Sequence, residues 1–152
     1  MRRFRFALEP VLAHRERIED ERRQELAVAQ HALNEATAEL LRLHDEFRKN
    51  SNALRDEHKH FDGEQLRLHY AHLEFLDRAI SAQEEVVAHR KAEHSQARLR
   101  LLEASKDRKA MEKLKDRRRE AHLAAEAAVE QRELDDANAR RFAHASLGGR
   151  VL

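Results

Sequence analysis

No cysteine and no tryptophan occur in the 152 residues of this chain, and it has a single proline and three glycines. The absence of cysteine excludes a disulfide framework, a thiolate zinc site and a cysteine nucleophile. Aromatic residues make up 5%, and much of the 41% apolar content is alanine, which is too little bulk to fill a wide globular core. No apolar run approaches the ~18 residues that a membrane-spanning helix needs. The opening residues Met1-Arg2-Arg3-Phe4-Arg5-Phe6 are basic but have no apolar stretch behind them, so no secretory signal is expected. An excess of one charge is also missing. Thirty basic side chains stand against 29 acidic ones, whereas a dedicated nucleic-acid binder usually carries a basic surplus.

What is present is charge and helix-forming residues. Asp, Glu, Lys and Arg together reach 39%. Leucine and alanine recur at helical spacing with few breakers between them, which predicts long helices or a coiled coil and argues against disorder. Breakers mark three places. Pro10 suits a first helical turn, where its missing N–H would be unpaired in any case. Residues 1–8 are then a leader, and a first helix covers 9–61. Near Gly63, Asp62 and Gln65 have the spacing of a capping box, and Phe61 and Leu66 that of a hydrophobic staple. A second helix is therefore expected over 62–145. Asn50-Ser51-Asn52 is a weaker competing break, but Leu54 and Phe61 continue the pattern past it. Gly148-Gly149 closes the helical signal and leaves a flexible tail over 146–152.

Within the first helix Leu26, Ala29, Leu33, Ala36, Leu40, Leu43, Phe47, Asn50, Leu54, Glu57 and Phe61 follow alternating steps of three and four, a heptad seam. Upstream, Leu8, Val11, Arg15, Ile18 and Arg22 follow the same rule and join through a phase shift near Ile18, where an eleven-residue repeat relaxes the supercoil. In the second helix the seam runs through Leu66, His69, Leu73, Leu76, Ile80, Gln83, Val87, Arg90, His94, Ala97, Leu101 and Ala104. Met111, Leu114, Arg118, Ala121, Ala125 and Ala128 continue it in a thinner, slipped register. Two helices with one apolar stripe each, joined by a tight turn, fold back on each other. The fold class expected is all-α, a long antiparallel two-helix coiled-coil hairpin. Leu26 is placed near Leu101 and Val11 near Lys115, and residues after about 125 lack an intramolecular partner. A first helix of about 52 residues at about 1.5 Å each spans roughly 80 Å, so a thin rod is expected.

Eleven histidines invite a metal reading, with His58, His60, His69 and His72 crowding the turn. His58 with Asp62, or His69 with His72, has helical ligand spacing. Histidines scattered over a solvated rod explain the same pattern, and neither a metal nor a cofactor is expected. Carboxylates alternate with Lys and Arg, and a two-helix rod has no concavity in which to bury a pair. There is no glycine-rich phosphate loop and no nucleophile elbow, so no catalytic residue is assigned. Residues 106–119 hold eight basic side chains against Asp107, Glu112 and Asp116. A solvated face with i,i+4 pairs accounts for most such runs, and a basic tip that docks in an acidic protein channel is the functional alternative. Aromatic stacking residues are missing from the run, so nucleic acid is not expected as a partner.

Four segments in order then resemble one family. Phe4-Arg5-Phe6-Ala7-Leu8-Glu9-Pro10-Val11-Leu12 with Arg15 and Glu16 is similar to the opening of FliJ, the small coiled-coil component of the bacterial flagellar export apparatus. Leu73-Glu74-Phe75-Leu76-Asp77-Arg78-Ala79-Ile80, Ser105 through Arg117, and Gln131-Arg132-Glu133-Leu134-Asp135-Asp136-Ala137 continue the resemblance over nearly the whole chain. It implies a non-enzymatic stalk whose open end enters the hexameric export ATPase and promotes its activity. It also implies that the turn-proximal part reaches the membrane export-gate protein and that export chaperones are further partners. The location implied is cytoplasmic, peripheral to the inner membrane through those partners. The counterpart stalk of needle-type secretion systems and a generic coiled-coil scaffold are the alternatives. On this reading the ATPase-ring contact comprises Arg2, Arg3, Arg5, Lys115, Arg117, Arg118 and Arg119. The export-gate contact comprises Tyr70, Leu73, Phe75, Leu76, Ala79 and Ile80, of which Phe75 and Tyr70 lie off the seam.

Overall fold

A computed structural model describes residues 3–148. Two long helices carry nearly all of it: α1 spans Glu9–Glu57 and α2 spans Gly63–Gly148, with a single 3₁₀ turn, His58–His60, between them. The chain is an all-α hairpin without strands among the described residues. Contacts divide it into two units, one of residues 17–105 and one that joins residues 1–16 to 106–152.

In the 17–105 unit the helices return on each other along the heptad seam. Ala36, Leu43 and Leu54 of α1 and Leu76, Ile80, Val87, Ala97 and Ala104 of α2 are buried. The densest packing joins Leu43, Leu76 and Ile80, with Leu40, Phe47 and Ala79 against them. Two helices exclude water along only a narrow strip, so few positions are fully buried, and Leu76 at 1% exposure is the extreme. Polar residues in the strip are bonded. Gln83 Nε2 donates across the seam to the carbonyl of Ala36 at 2.9 Å. The small Ala36 side chain leaves room for that approach. Asn50 turns its amide back to the Glu46 carbonyl at 2.8 Å, which keeps it helical within the weaker stretch Asn50-Ser51-Asn52.

The turn is built by capping. Asp62 Oδ1 accepts from the Gln65 amide at 2.8 Å, and Gln65 Oε1 accepts from the Asp62 amide at 3.1 Å, a reciprocal capping box. Phe61 is extended. Its ring stacks on His69 at a centroid distance of 4.5 Å. The α-helix of α1 thus stops at Glu57, short of the expected residue 61, because the chain tightens into the 3₁₀ turn before the cap. Glu57, expected in the seam, is exposed. At the other end α2 stays helical to Gly148, three residues past the expected boundary, and residues 149–152 of the expected tail lie outside the described residues.

The upstream part of α1 departs from the expected register. Val11 is exposed and Leu12 is buried, and the most buried position nearby is Glu19 rather than Ile18. The inward positions are Leu8, Leu12, Arg15, Glu19, Arg22 and Leu26, which keep the alternation of four and three without a phase shift. Reading by hydrophobicity selected Val11 and Ile18, but a buried carboxylate holds the heptad position. In α2 the half-buried positions after Ala104 include Arg108, Met111, Leu114, Lys115 and His122, so Met111 and Leu114 of the expected continuation are partly covered while Arg118, Ala121, Ala125 and Ala128 are exposed.

Candidate interaction surfaces

The unit formed by residues 1–16 and 106–152 begins with the leader. Phe6 is buried, and its carbonyl accepts the Glu9 amide at 3.1 Å, so the backbone turns directly into α1. The guanidinium of Arg118 lies 5.9 Å from the centroid of the Phe6 ring, and the Phe4 ring is 5.6 Å from that of His122. Lys115 Nζ lies 2.9 Å from Glu9 Oε2, and Arg15 Nη1 lies 3.3 Å from Asp107 Oδ2. The leader is therefore fastened to α2 by two aromatic rings and flanking ion pairs. Lys115 meets Glu9, two residues before the Val11 that the sequence reading places near it.

Of the residues assigned to an ATPase-ring contact, Arg3, Arg5 and Lys115 line one open groove with Phe4, Phe6 and Glu9. Arg117, Arg118 and Arg119 are exposed on the following turn of α2. Lys115 and Arg118 are engaged with Glu9 and Phe6, which leaves Arg3, Arg5, Arg117 and Arg119 as the outward charges of the group. Arg2 lies outside the described residues. Beyond Glu126 every described residue of α2 is exposed, including Val129, Leu134, Phe142 and Leu147.

The residues assigned to an export-gate contact separate into two groups. Leu76 and Ile80 are buried against Leu43, so their side chains belong to the seam and offer nothing to a partner while the hairpin is closed. Leu73 and Ala79 are half-buried beside them. Tyr70 and Phe75 are 62% and 65% exposed, and Phe75 stacks loosely on His72 at 6.4 Å. Both rings are outward apolar surface, as is Leu68 near them. Sequence reasoning missed Glu19. Its Oε1 accepts from Arg23 Nη2 at 2.7 Å and from Ser105 Oγ at 3.0 Å, a polar layer that joins the two helices. A strict count of heptad steps back from Leu26 would have reached it.

Among the described residues no three His, Asp or Glu side chains come together as a metal site. No described helix is long and apolar enough to cross a membrane. His69 spends its ring on Phe61, and His72 faces Glu46 of the other helix at 3.6 Å.

The geometry is that of a coiled-coil hairpin whose functional surfaces are exposed side chains along helices, the arrangement of a structural and docking protein. The sequence matches the family model of the flagellar FliJ protein over residues 4–147, and the chain belongs to that family. It is accordingly a member of the stalk proteins of flagellar type III export, a structural rather than an enzymatic family. Comparison with curated proteins gives no match. Among solved structures, one described as a YscO homolog, CT670 from Chlamydia trachomatis, is similar at 20% identity and a TM-score of 0.49. The similarity covers 98% of this chain and 100% of that one.

Proposed function

We propose that the protein is the coiled-coil stalk that inserts in the hexameric export ATPase, promotes ATP turnover, and links the ring to the membrane export gate and to export chaperones. The observation that carries the reading is the end of the hairpin where the leader is fastened to α2. There Arg3, Arg5, Arg117 and Arg119 project outward around a fixed point made by Phe6 and Arg118. Charges held on a rigid element steer and orient docking better than charges on a loose tail. The gate contact is assigned to Tyr70 and Phe75, with Leu73 and Ala79 at its edge and Leu76 and Ile80 as the packed layer beneath. Exposed aromatics are common anchors of protein interfaces.

The test is ATP turnover by the export ATPase with the wild-type chain and with the outward Arg117 and Arg119 both replaced by Glu, across a salt series. Wild-type protein should stimulate and the reversed variant should not. Stimulation should also fade toward 1 M salt, where the Debye length is about 3 Å. Full stimulation by the reversed variant at low salt would remove the charge-steered docking. For the gate, Phe75→Ala should weaken binding to the gate protein without loss of helicity.

A further inference from the structure

The leader reaches farther along α2 than α1 does. α1 begins at Glu9, whose carboxylate pairs with Lys115. His122 and Glu126 lie about two and about three helical turns beyond Lys115. Their side chains are nevertheless only 28% and 21% exposed, while every described residue after Glu126 is open to solvent. The described chain brings Phe4 to this place. Its half-buried ring is tilted by 42° to the His122 imidazole, with the centroids 5.6 Å apart. His122 Nε2 lies 3.5 Å from Glu126 Oε1. One ionisable ring therefore meets both an aromatic ring of the leader and a carboxylate of its own helix.

Imidazole changes charge between pH 5 and 8, and its two forms hold Phe4 differently. The cation pairs with Glu126, and an aromatic face within about 6 Å attracts it. The neutral ring keeps the contact with Phe4 but has no ion pair. Other charges face the same place. On α2, Arg118 and Arg119 stand four and three residues before His122, and Lys115 one heptad before it. The leader contributes Arg3 and Arg5, and α1 contributes Glu9. The basic ones oppose a charge on His122. Lys115 is neutralised by Glu9, however, and the guanidinium of Arg118 is drawn to Phe6. Arg3, Arg5 and Arg119 are exposed, so water and salt screen them, whereas the mostly covered pair of His122 and Glu126 is screened much less. We infer that Phe4 and His122 form a proton-sensitive clasp: the imidazolium, anchored by Glu126, holds the leader on α2, and its deprotonation loosens Phe4. Arg3 and Arg5 flank Phe4 in the chain, so the clasp also decides whether these two charges are fixed beside Arg117 and Arg119 or free. That consequence rests on the ring-docking reading, and the clasp itself does not.

Residues 3–6 are not helical, so their release leaves helicity unchanged and needs a local probe. NMR of the full-length chain with ring-labelled phenylalanine supplies one. The chain has six Phe residues, and the Phe4 signal is the one lost in Phe4→Leu. From about pH 8 to about pH 5.5 that signal should move away from the position of free phenylalanine as the ring is captured. In His122→Gln it should keep one position across this range. In Glu126→Gln the imidazolium is left with arginines around it, so the movement should shrink severalfold or reverse. The last variant separates capture of the leader from mere titration of a nearby ring. A wild-type Phe4 signal that does not move, or one that moves alike in Glu126→Gln, would overturn the inference. ATP turnover is read separately, wild type against His122→Gln at each pH, so that the pH response of the ATPase itself cancels. Wild type should stimulate more than the variant at about pH 5.5 and equally at about pH 8. Equal stimulation at both, with the clasp seen by NMR, would leave the clasp standing and remove Arg3 and Arg5 from the ring contact. No stimulation by either chain would sink the ring-docking reading and leave the clasp intact.

Discussion

At the scale of single residues, Glu19 decides how the upstream half of α1 is read. It is 2% exposed, the one buried charged residue in a strip whose other buried positions are apolar among the described residues. A carboxylate is tolerated there because Arg23 and Ser105 both donate to it, and hydrogen bonds to a charged group contribute roughly 1.5–3 kcal/mol. Arg23 is one turn along α1 and Ser105 is on the facing helix, so the layer ties the two helices at one fixed level. Ile18, beside it, is half-buried. Glu19→Ala should therefore cost about 2 kcal/mol or more, and Ile18→Ala about 1 kcal/mol. Thermal melting followed by circular dichroism gives the order. A larger loss at Ile18 would restore the phase-shifted register.

At the scale of elements, the turn and the exposed ion ladders behave differently from what composition implies. Gly63 looks like the residue that makes the turn. Yet no described residue, glycine included, has a positive φ, and a Cβ at Gly63 would meet nothing within 4 Å. The bend comes from the 3₁₀ turn, the extended Phe61 and the Asp62–Gln65 cap. Gly63→Ala should stabilise by about 0.4–1 kcal/mol through loss of unfolded-chain freedom, whereas Asp62→Ala should cost about 1 kcal/mol. Chemical denaturation of the two variants separates them. If Gly63→Ala destabilises, the turn needs glycine after all.

The ladders give a pH dependence of definite sign. The hydrogen bond from Arg42 holds the Glu39 carboxyl below its ordinary value, those from Lys49 and Arg48 do so for Asp45, and that from Arg90 does so for Glu93. A group with a lowered folded-state value contributes stability above its unfolded value, and that stability is lost as pH falls through the lowered one. The ordinary values are 4.5 for Glu and 3.8 for Asp, so helix stability should be level from neutral pH to about 4.5 and decline below it. The three carboxylates keep 43%, 42% and 41% of their side-chain surface open to solvent, so the decline should be shallow and should shrink in high salt. Melting curves at pH 7 and pH 3, each at two salt concentrations, check both points. A rise in stability on acidification would contradict the assignment.

At the scale of the whole molecule, packing is uneven along α2. Between Leu76 and Ala104 five residues are buried, while after Glu126 every described one is exposed. Helices draw most of their stability from tertiary packing, because isolated segments are marginal in water. Amide hydrogen exchange should therefore be slowest between residues 76 and 104 and fastest after 126, where opening costs little. Uniform protection along α2 would mean that its last turns have a partner already.

The sequence by itself determined the class. Scarcity of Gly, Pro and aromatics and the heptad of Leu26 through Leu54 require long helices with one narrow stripe. The Asp62–Gln65 spacing locates the reversal, and the four segments from Phe4 to Ala137 point to the family to which the chain belongs. Local chemistry suffices for these features because caps and periodicity act within a turn or two of helix. Which side chains occupy the seam where it turns polar was decided only by the facing helix. Glu19 is inward because Ser105 is there to meet it, and Val11 is outward because Leu12 holds the heptad position. Nearer the turn periodicity was enough. Phe75 and Leu76 are adjacent and equally apolar, but the heptad puts Leu76 in the seam, where it packs on Leu43, and Phe75 off it, where it is 65% exposed. Hydrophobicity is a property of one residue, whereas burial is a property of what stands opposite it.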